Sequence, residues 1–344
     1  MSSVQPSVRP LAPVSAPSGA APLVVVWRIS EQCGLACPFC GYSRELPRAR
    51  AVADAAQVLA FGARLGAYAA ATGRSVLVSW LGGEPLDWKP LADLSRTFKH
   101  EFGLRLGVTT NGMALRSETV RRRLAADYAE LTVSVDGVAE QHDRLRGAPG
   151  LYQRLADGLC ALRHMADQSG AGPRLKLNTV LMRDNLEQFE ALCVQVAAWG
   201  VEEVTFNALG GNDRPEFHPQ HSLRPEQLAW LRAALPGIRA RVAPLGMRIA
   251  GSGAYLDRLE AAARGSAVPV ADCGPGQRFL FIDERGIAAP CSFTGRGYGV
   301  SIDELVSPRD IERLPRRFAW LRRASTMAAC RNCLSTQVFG KFEV

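Results

Sequence analysis

The chain has 344 residues, 47% of them apolar and 22% charged, and a formal charge of +8. That length can bury a large core as one α/β barrel, or as one large domain with a small appendage. No apolar run nears the ~20 residues that cross a bilayer, and "APLVVVW" is too short and lacks the basic flank of a signal peptide, so a cytoplasmic chain without a membrane partner is expected.

In chain order, residues 1–21 are rich in Ser, Pro and Ala and read as a disordered arm. Six short β-branched runs follow: "PLVVVWRI", "SVLVSWLGG", "LRLGVTTNG", "ELTVSVDG", "RLKLNTVLM" and "EVTFNALGG". Helical periodicity fills the stretches after them, near 50–72, 89–101, 115–126, 150–167, 185–199 and 224–243. Asn185, with Gln188 three residues on, reads as an N-cap, and Gly200 as the C′ residue of the same helix.

Six β-then-α units need parallel strands with crossover helices, which places the chain in the α/β class as a partial (βα)6 TIM-like barrel over 22–245. Chemistry in such folds sits where the loops after the strands converge. Those loops carry a cysteine cluster, "GGEP", "TTNG" and "SVDG". The arginine runs at 121–123, 316–317 and 322–323 read as solvated helix faces, or as a docking face for an acidic electron-transfer protein. Nucleic acid is not expected, because no aromatic residues interleave with the basic ones.

Nine cysteines are many for a chain in a reducing compartment, and seven fall into two groups. Cys160 and Cys193 lie at apolar positions of helical patterns and read as small buried hydrophobes. Cys33, Cys37 and Cys40 share one loop at x3 and x2 spacing, with no fourth ligand nearby. Three thiolates can hold three irons of a [4Fe–4S] cube and leave the fourth iron open to a small chelating molecule.

This spacing, with aromatic Phe39 before the third cysteine and the loop placed after the first strand, resembles the signature of radical S-adenosylmethionine enzymes. The resemblance implies that S-adenosylmethionine binds the open iron. Reduction then splits it to a 5′-deoxyadenosyl radical that abstracts an unactivated hydrogen atom, with the electron supplied by a flavodoxin- or ferredoxin-type protein. It also implies that Gly82, Gly83 and Glu84 of "GGEP" hold the methionine amino group, with Pro85 stiffening the loop. Ser134 would meet the ribose, Arg146 the methionine carboxylate, and Asn178 the nucleoside side.

Cys273, Cys291, Cys330 and Cys333 form the second group, with a hairpin between the first two and a Cys-x2-Cys at the end. Spacing alone also admits zinc. The layout resembles the auxiliary-cluster domains called twitch and SPASM, here over 246–344, and implies a second, fully ligated [4Fe–4S] cluster that accepts an electron from the substrate radical. The cysteine layout is similar to that of aminoglycoside-pathway cyclitol dehydrogenases, so oxidation of a sugar- or cyclitol-type small molecule is the first expectation. Modification of a ribosomally made peptide or protein side chain is the alternative, less favoured because only 21 residues precede the first strand. An iron–sulfur scaffold or redox sensor without catalysis is the third reading. For a general base, the loop "GGNDRPEFHPQH" offers Asp213, Glu216, His218 and His221.

Overall fold

The computed structural model describes residues 21–211, 213–333, 335 and 340–343, so the expected arm lies outside the described residues except for Ala21. The elements run β1 (Leu23–Ser30), α1 (Ala55–Thr72), β2 (Val76–Gly82), α2 (Leu91–His100), β3 (Arg105–Thr110), α3 (Glu118–Asp127), β4 (Glu130–Ser134) and α4 (Glu140–Arg146). They continue with α5 (Leu151–Ser169), β5 (Arg174–Leu181), α6 (Phe189–Ala198), β6 (Glu203–Ala208), α7 (His218–His221), α8 (Pro225–Val242), β7 (Arg248–Ile249) and α9 (Gly253–Ala263). The last are β8 (Phe279–Ile282), β9 (Ile287–Ala289), α10 (Gly295–Tyr298), β10 (Val300–Ser301), α11 (Pro308–Ala324) and α12 (Ala328–Arg331). All six expected strands form, and β1 to β6 pair in sequence order, each parallel to the next.

Strand alternation sorts the side chains. On β5, Leu175, Leu177, Thr179 and Leu181 are buried towards the helices, while Lys176, Asn178 and Val180 face the concave inner side. The helix-facing layer is closed by aromatic packing: Trp27 meets Phe61 edge-on at 5.7 Å and Trp80 lies 5.1 Å from Phe98.

Both edges of the barrel sheet are extended. Two-residue β7 pairs parallel with β6. On the other side β8 pairs parallel with β1, Val24 opposite Phe279 through Trp27 opposite Ile282. The expected C-terminal hairpin therefore forms, with its turn at Gly286 (φ 74), but it joins the barrel's own sheet. Because β8 runs with β1 and β9 runs back, Cys273 before β8 and Cys291 after β9 come to the end of β1 opposite the Cys33–Cys40 loop.

Two expectations are corrected. Asn185 stands at the N-cap of the 3-10 turn Leu186–Gln188 ahead of α6, but its side chain makes no capping bond: it accepts from Met182 N (2.7 Å) and donates to Asp136 O (2.7 Å) and Val180 O (2.8 Å), tying the loops after β4 and β5 together. Cys160 is exposed, because α5 turns that position away from the sheet, whereas Cys193 is fully buried. Gly200 does follow α6 with φ 86.

Candidate active site

Burial of Cys37 and partial burial of Cys33 and Cys40 set the first site below the rim of the barrel. Backbone N–H groups of Leu35 and Tyr42 point at Cys33 Sγ (3.5 Å) and Cys40 Sγ (3.4 Å), and Asn111 Nδ2 donates to Cys33 Sγ at 3.7 Å. Burial pushes the Cys37 thiol up to about 12, with the Arg146 guanidinium pulling the other way, and burial also raises Cys33 and Cys40. Sulfurs desolvated, near enough to raise one another and, at Cys33 and Cys40, furnished with N–H donors suit a cationic iron cluster, which takes them as thiolates.

The "GGEP" turn meets this loop through its backbone. Gly83 N donates to Ser30 O and Glu84 N to Gln32 O, both at 2.7 Å. A Cβ on Gly82 would stand 2.5 Å from Ser30 O, and one on Gly83 2.2 Å from Gln32 O. The two glycines thus allow the second loop to lie against the cysteine loop, a reason distinct from the approach to a ligand that the sequence suggested. Buried Pro85 opens a 3-10 turn, Pro85–Asp87, whose far end is exposed. Glu84, 1% exposed, accepts from Leu86 N (3.0 Å), Thr110 Oγ1 (2.8 Å) and Asn111 N (2.7 Å), so it staples the loops after β2 and β3. Burial nevertheless raises its carboxyl to about 7.

Arg146, at the end of α4, turns back over the cysteines. Its guanidinium pairs with Asp136 at 2.5 Å, sits 5.5 Å from the Phe39 ring centre and reaches Cys37 Sγ at 4.0 Å. Its buried Nε has no partner among the described residues. Ser134 and Asn178 are opposite each other in register on β4 and β5, on the inner face. Asn178 Oδ1 accepts from Asn207 Nδ2 (3.0 Å), Thr205 Oγ1 (3.1 Å) and Lys341 Nζ (3.3 Å).

Of the four candidate bases only Asp213 approaches the site: a Cβ on Gly41, next to Cys40, would meet its side chain at 3.2 Å. Glu216 is mostly exposed and paired with Arg214. His218 packs over Gly211, and His221 stacks on Phe217 (3.7 Å) and pairs with Asp184 at 2.5 Å. Sequence reasoning placed Asn111 and Asp136 only within the "TTNG" and "SVDG" loops, with no role assigned, and missed Tyr42 and Arg28. Arg28 donates to Tyr42 Oη (2.8 Å) and Glu284 (2.5 Å), joining the first cysteine loop to the β8–β9 turn.

The second group encloses a cavity of about 280 Å³ lined by all four of its cysteines together with Thr294, Tyr298 and Arg322. Burial raises Cys273 to about 11, and its cysteine neighbours add to the rise. Among the described residues no three His, Cys, Asp or Glu side chains are placed to hold a single metal ion. Thiolates around zinc, with bonds of ~2.3 Å, would stand only ~3.8 Å apart. Four cysteines lining one shared cavity suit a cluster.

A family model described as the Radical SAM superfamily matches residues 27–196. The AdoMet-dependent heme synthase of Methanosarcina barkeri is 28% identical over 287 residues, 79% of this chain and 77% of that protein. Mycofactocin maturase MftC of Mycolicibacterium smegmatis is 24% identical over 284 residues, 79% of this chain and 65% of that one. Among solved structures, Streptococcus suis SuiB bound to precursor peptide SuiA matches with a TM-score of 0.58 at 18% identity, covering 80% of this chain and 61% of that chain. SuiB bound to S-adenosylmethionine matches at 0.63 and 15% identity, covering 94% and 78%. At these identities the structural likeness speaks for the fold. No helix among the described residues is long and apolar enough to cross a membrane. The cysteine spacing, the barrel and the matched relatives agree on a radical S-adenosylmethionine superfamily domain over residues 27–196, followed by a cysteine-rich C-terminal part.

Proposed function

We propose that this enzyme oxidatively modifies a side chain of a ribosomally made peptide or protein. When bound, the two [4Fe–4S] clusters and S-adenosylmethionine supply a 5′-deoxyadenosyl radical for hydrogen abstraction and an acceptor for the second electron. The observation that carries the reading is the parallel pairing of β8 with β1. It holds the two cysteine groups at opposite ends of one strand, roughly 25 Å long at ~3.3 Å per residue. The inner face between them is where a bound side chain could be exposed to both.

The chain's own residues have distinct tasks in this reading. Arg146 offers its unpartnered Nε to the methionine carboxylate, and Ser134 and Asn178 offer polar atoms to the nucleoside. Glu84 holds the loops after β2 and β3 and leaves backbone groups of Gly82 and Gly83 beside the cysteines. Asp213 is the base candidate nearest the site. A flavodoxin- or ferredoxin-type donor is proposed as the electron source.

Names of the relatives move the substrate from the sugar or cyclitol alcohol first expected towards peptides, since MftC is a maturase and SuiB was solved with a precursor peptide. A tetrapyrrole substrate is the second reading, favoured by the heme synthase match. The test is anaerobic reconstitution with iron and sulfide, reduction, and addition of S-adenosylmethionine with peptides encoded beside the gene or with iron porphyrins. Formation of 5′-deoxyadenosine with a mass loss of two hydrogens on a peptide supports the proposal. Turnover of porphyrins alone supports the second reading, and intact clusters that release no 5′-deoxyadenosine point to the scaffold or sensor.

A further inference from the structure

The chain has four lysines against thirty-seven arginines, and two of the four, Lys176 and Lys341, are brought together inside the barrel. Lys341 gets there through the segment 340–343. Ser252 N donates to Gly340 O (2.8 Å) and Gly251 N to Glu343 O (2.5 Å), which fastens the segment to the turn between β7 and α9. The Phe342 ring centre lies 5.3 Å from Lys341 Nζ and 5.7 Å from Lys176 Nζ. Lys341 itself is 7% exposed, and its Nζ touches Asn178 Oδ1 at 3.3 Å.

Its neighbours already hold more cations than carboxylates. Fully buried Glu203 on β6 takes Arg174 and Lys176, both at 3.0 Å, and Arg248 from β7, and Lys176 also reaches Glu130 on β4 at 3.2 Å. Lys341 has no carboxylate within 4 Å among the described residues. Its contact is an amide oxygen that two other donors share. A buried amine in this state is costly, and the cost falls when an anion completes it.

We propose that Lys341 anchors a carboxylate of the substrate on the inner face, beside Asn178 and Ser134. The proposal rests on the reading that substrate is received on this face, and it adds that the substrate is acidic at the group bound there. With Arg174, Lys176, Arg248 and Lys341 facing only Glu203 and Glu130, this face carries an excess of positive charge, which calls for an anion such as a carboxylate. Burial and the nearby positive charge of Lys176 bring the free amine down to about 7, so an anion bound beside it should raise its titration midpoint.

Nuclear magnetic resonance of the full chain, labelled with ¹³C at lysine Cε, tests this without clusters or turnover. Four signals are expected, assigned with Lys341→Gln and Lys176→Arg. Propionate should move the Lys341 signal saturably and raise its midpoint by about one unit, the equivalent of tenfold tighter binding to the charged form. Propionamide, of the same shape but neutral, should leave it in place. Equal response to both probes, or none to propionate, overturns the anchor while leaving the proposed reaction standing. Failure of the peptide reading shows differently, as unmodified peptides with a propionate response intact. If Lys341→Gln does not fold, Lys341→Arg gives the same assignment by loss of one signal.

Discussion

The guanidinium of Arg146 meets the carboxylate of Asp136 at 2.5 Å, with the Asp136 side chain wholly buried and that of Arg146 11% exposed. Asp136 is held in turn: its Oδ1 accepts from Val180 N at 2.8 Å, and its backbone N–H donates to His142 Nδ1 at 3.1 Å. The loop after β4, helix α4 and the end of β5 are thereby locked around one charge pair beside Cys37.

Removing one member of such a pair strands the other in a dry site. Arg146→Met and Asp136→Asn should each cost about 3–5 kcal/mol of stability, with the double variant recovering part of the loss. Urea denaturation of the cluster-free chain measures this. Strict additivity of the two losses would mean that the pair does not couple.

Glu84 gives the chain a pH dependence whose sign is defined. Its carboxyl is raised from 4.5 to about 7, so the folded state holds the proton more tightly than the unfolded chain. The stability from this group is complete below pH 4.5 and is lost as pH rises through about 7, with an upper bound of roughly 3 kcal/mol. Wild type should therefore gain stability relative to Glu84→Gln on going from pH 7.5 to pH 5. A pH-independent difference between the two proteins would contradict it.

Cys330→Ala with Cys333→Ala removes two of the four thiols around the second cavity. Reconstituted iron should drop from about eight to about four per chain, with the first site still loaded. Iron and sulfide analysis reads the outcome directly, and a count of about four in the wild type would eliminate the second cluster.

Gly83→Ala would drive a methyl group to 2.2 Å from Gln32 O, a contact with backbone that no rotamer relieves. The expected cost is about 1–3 kcal/mol, accompanied by reduced iron loading at the first site as the cysteine loop shifts. Gly73→Ala serves as the control, since its Cβ meets nothing within 4 Å although φ is 66. It should retain iron loading at the first site, whatever its backbone strain costs.

The six strands, their helices and both cysteine groups were legible because each is written in short-range pattern: alternation along β5, amphipathic spacing along α5, and ligands a few residues apart. Family resemblance in "GGEP" and "HDRLR" located Glu84 and Arg146 near the first site, but not the partners that occupy them, Thr110, Asn111 and Asp136. The exposure of Cys160 and the bonding of Asn185 across two loops were misread for the same reason, since neither is decided by sequence neighbours.

By itself, then, the sequence determined the α/β class and the strand order of the barrel core, and pointed to iron–sulfur chemistry for its two cysteine groups. Tertiary structure alone decided that the C-terminal hairpin would extend the sheet at β1, that Gly82 and Gly83 serve the packing of two loops, and that Lys341 enters the barrel beside Asn178. The physical reason is range. Periodicity and spacing encode contacts across a few residues, whereas strand pairing and buried charge are settled by groups up to hundreds of positions apart that meet only when the chain has closed on itself.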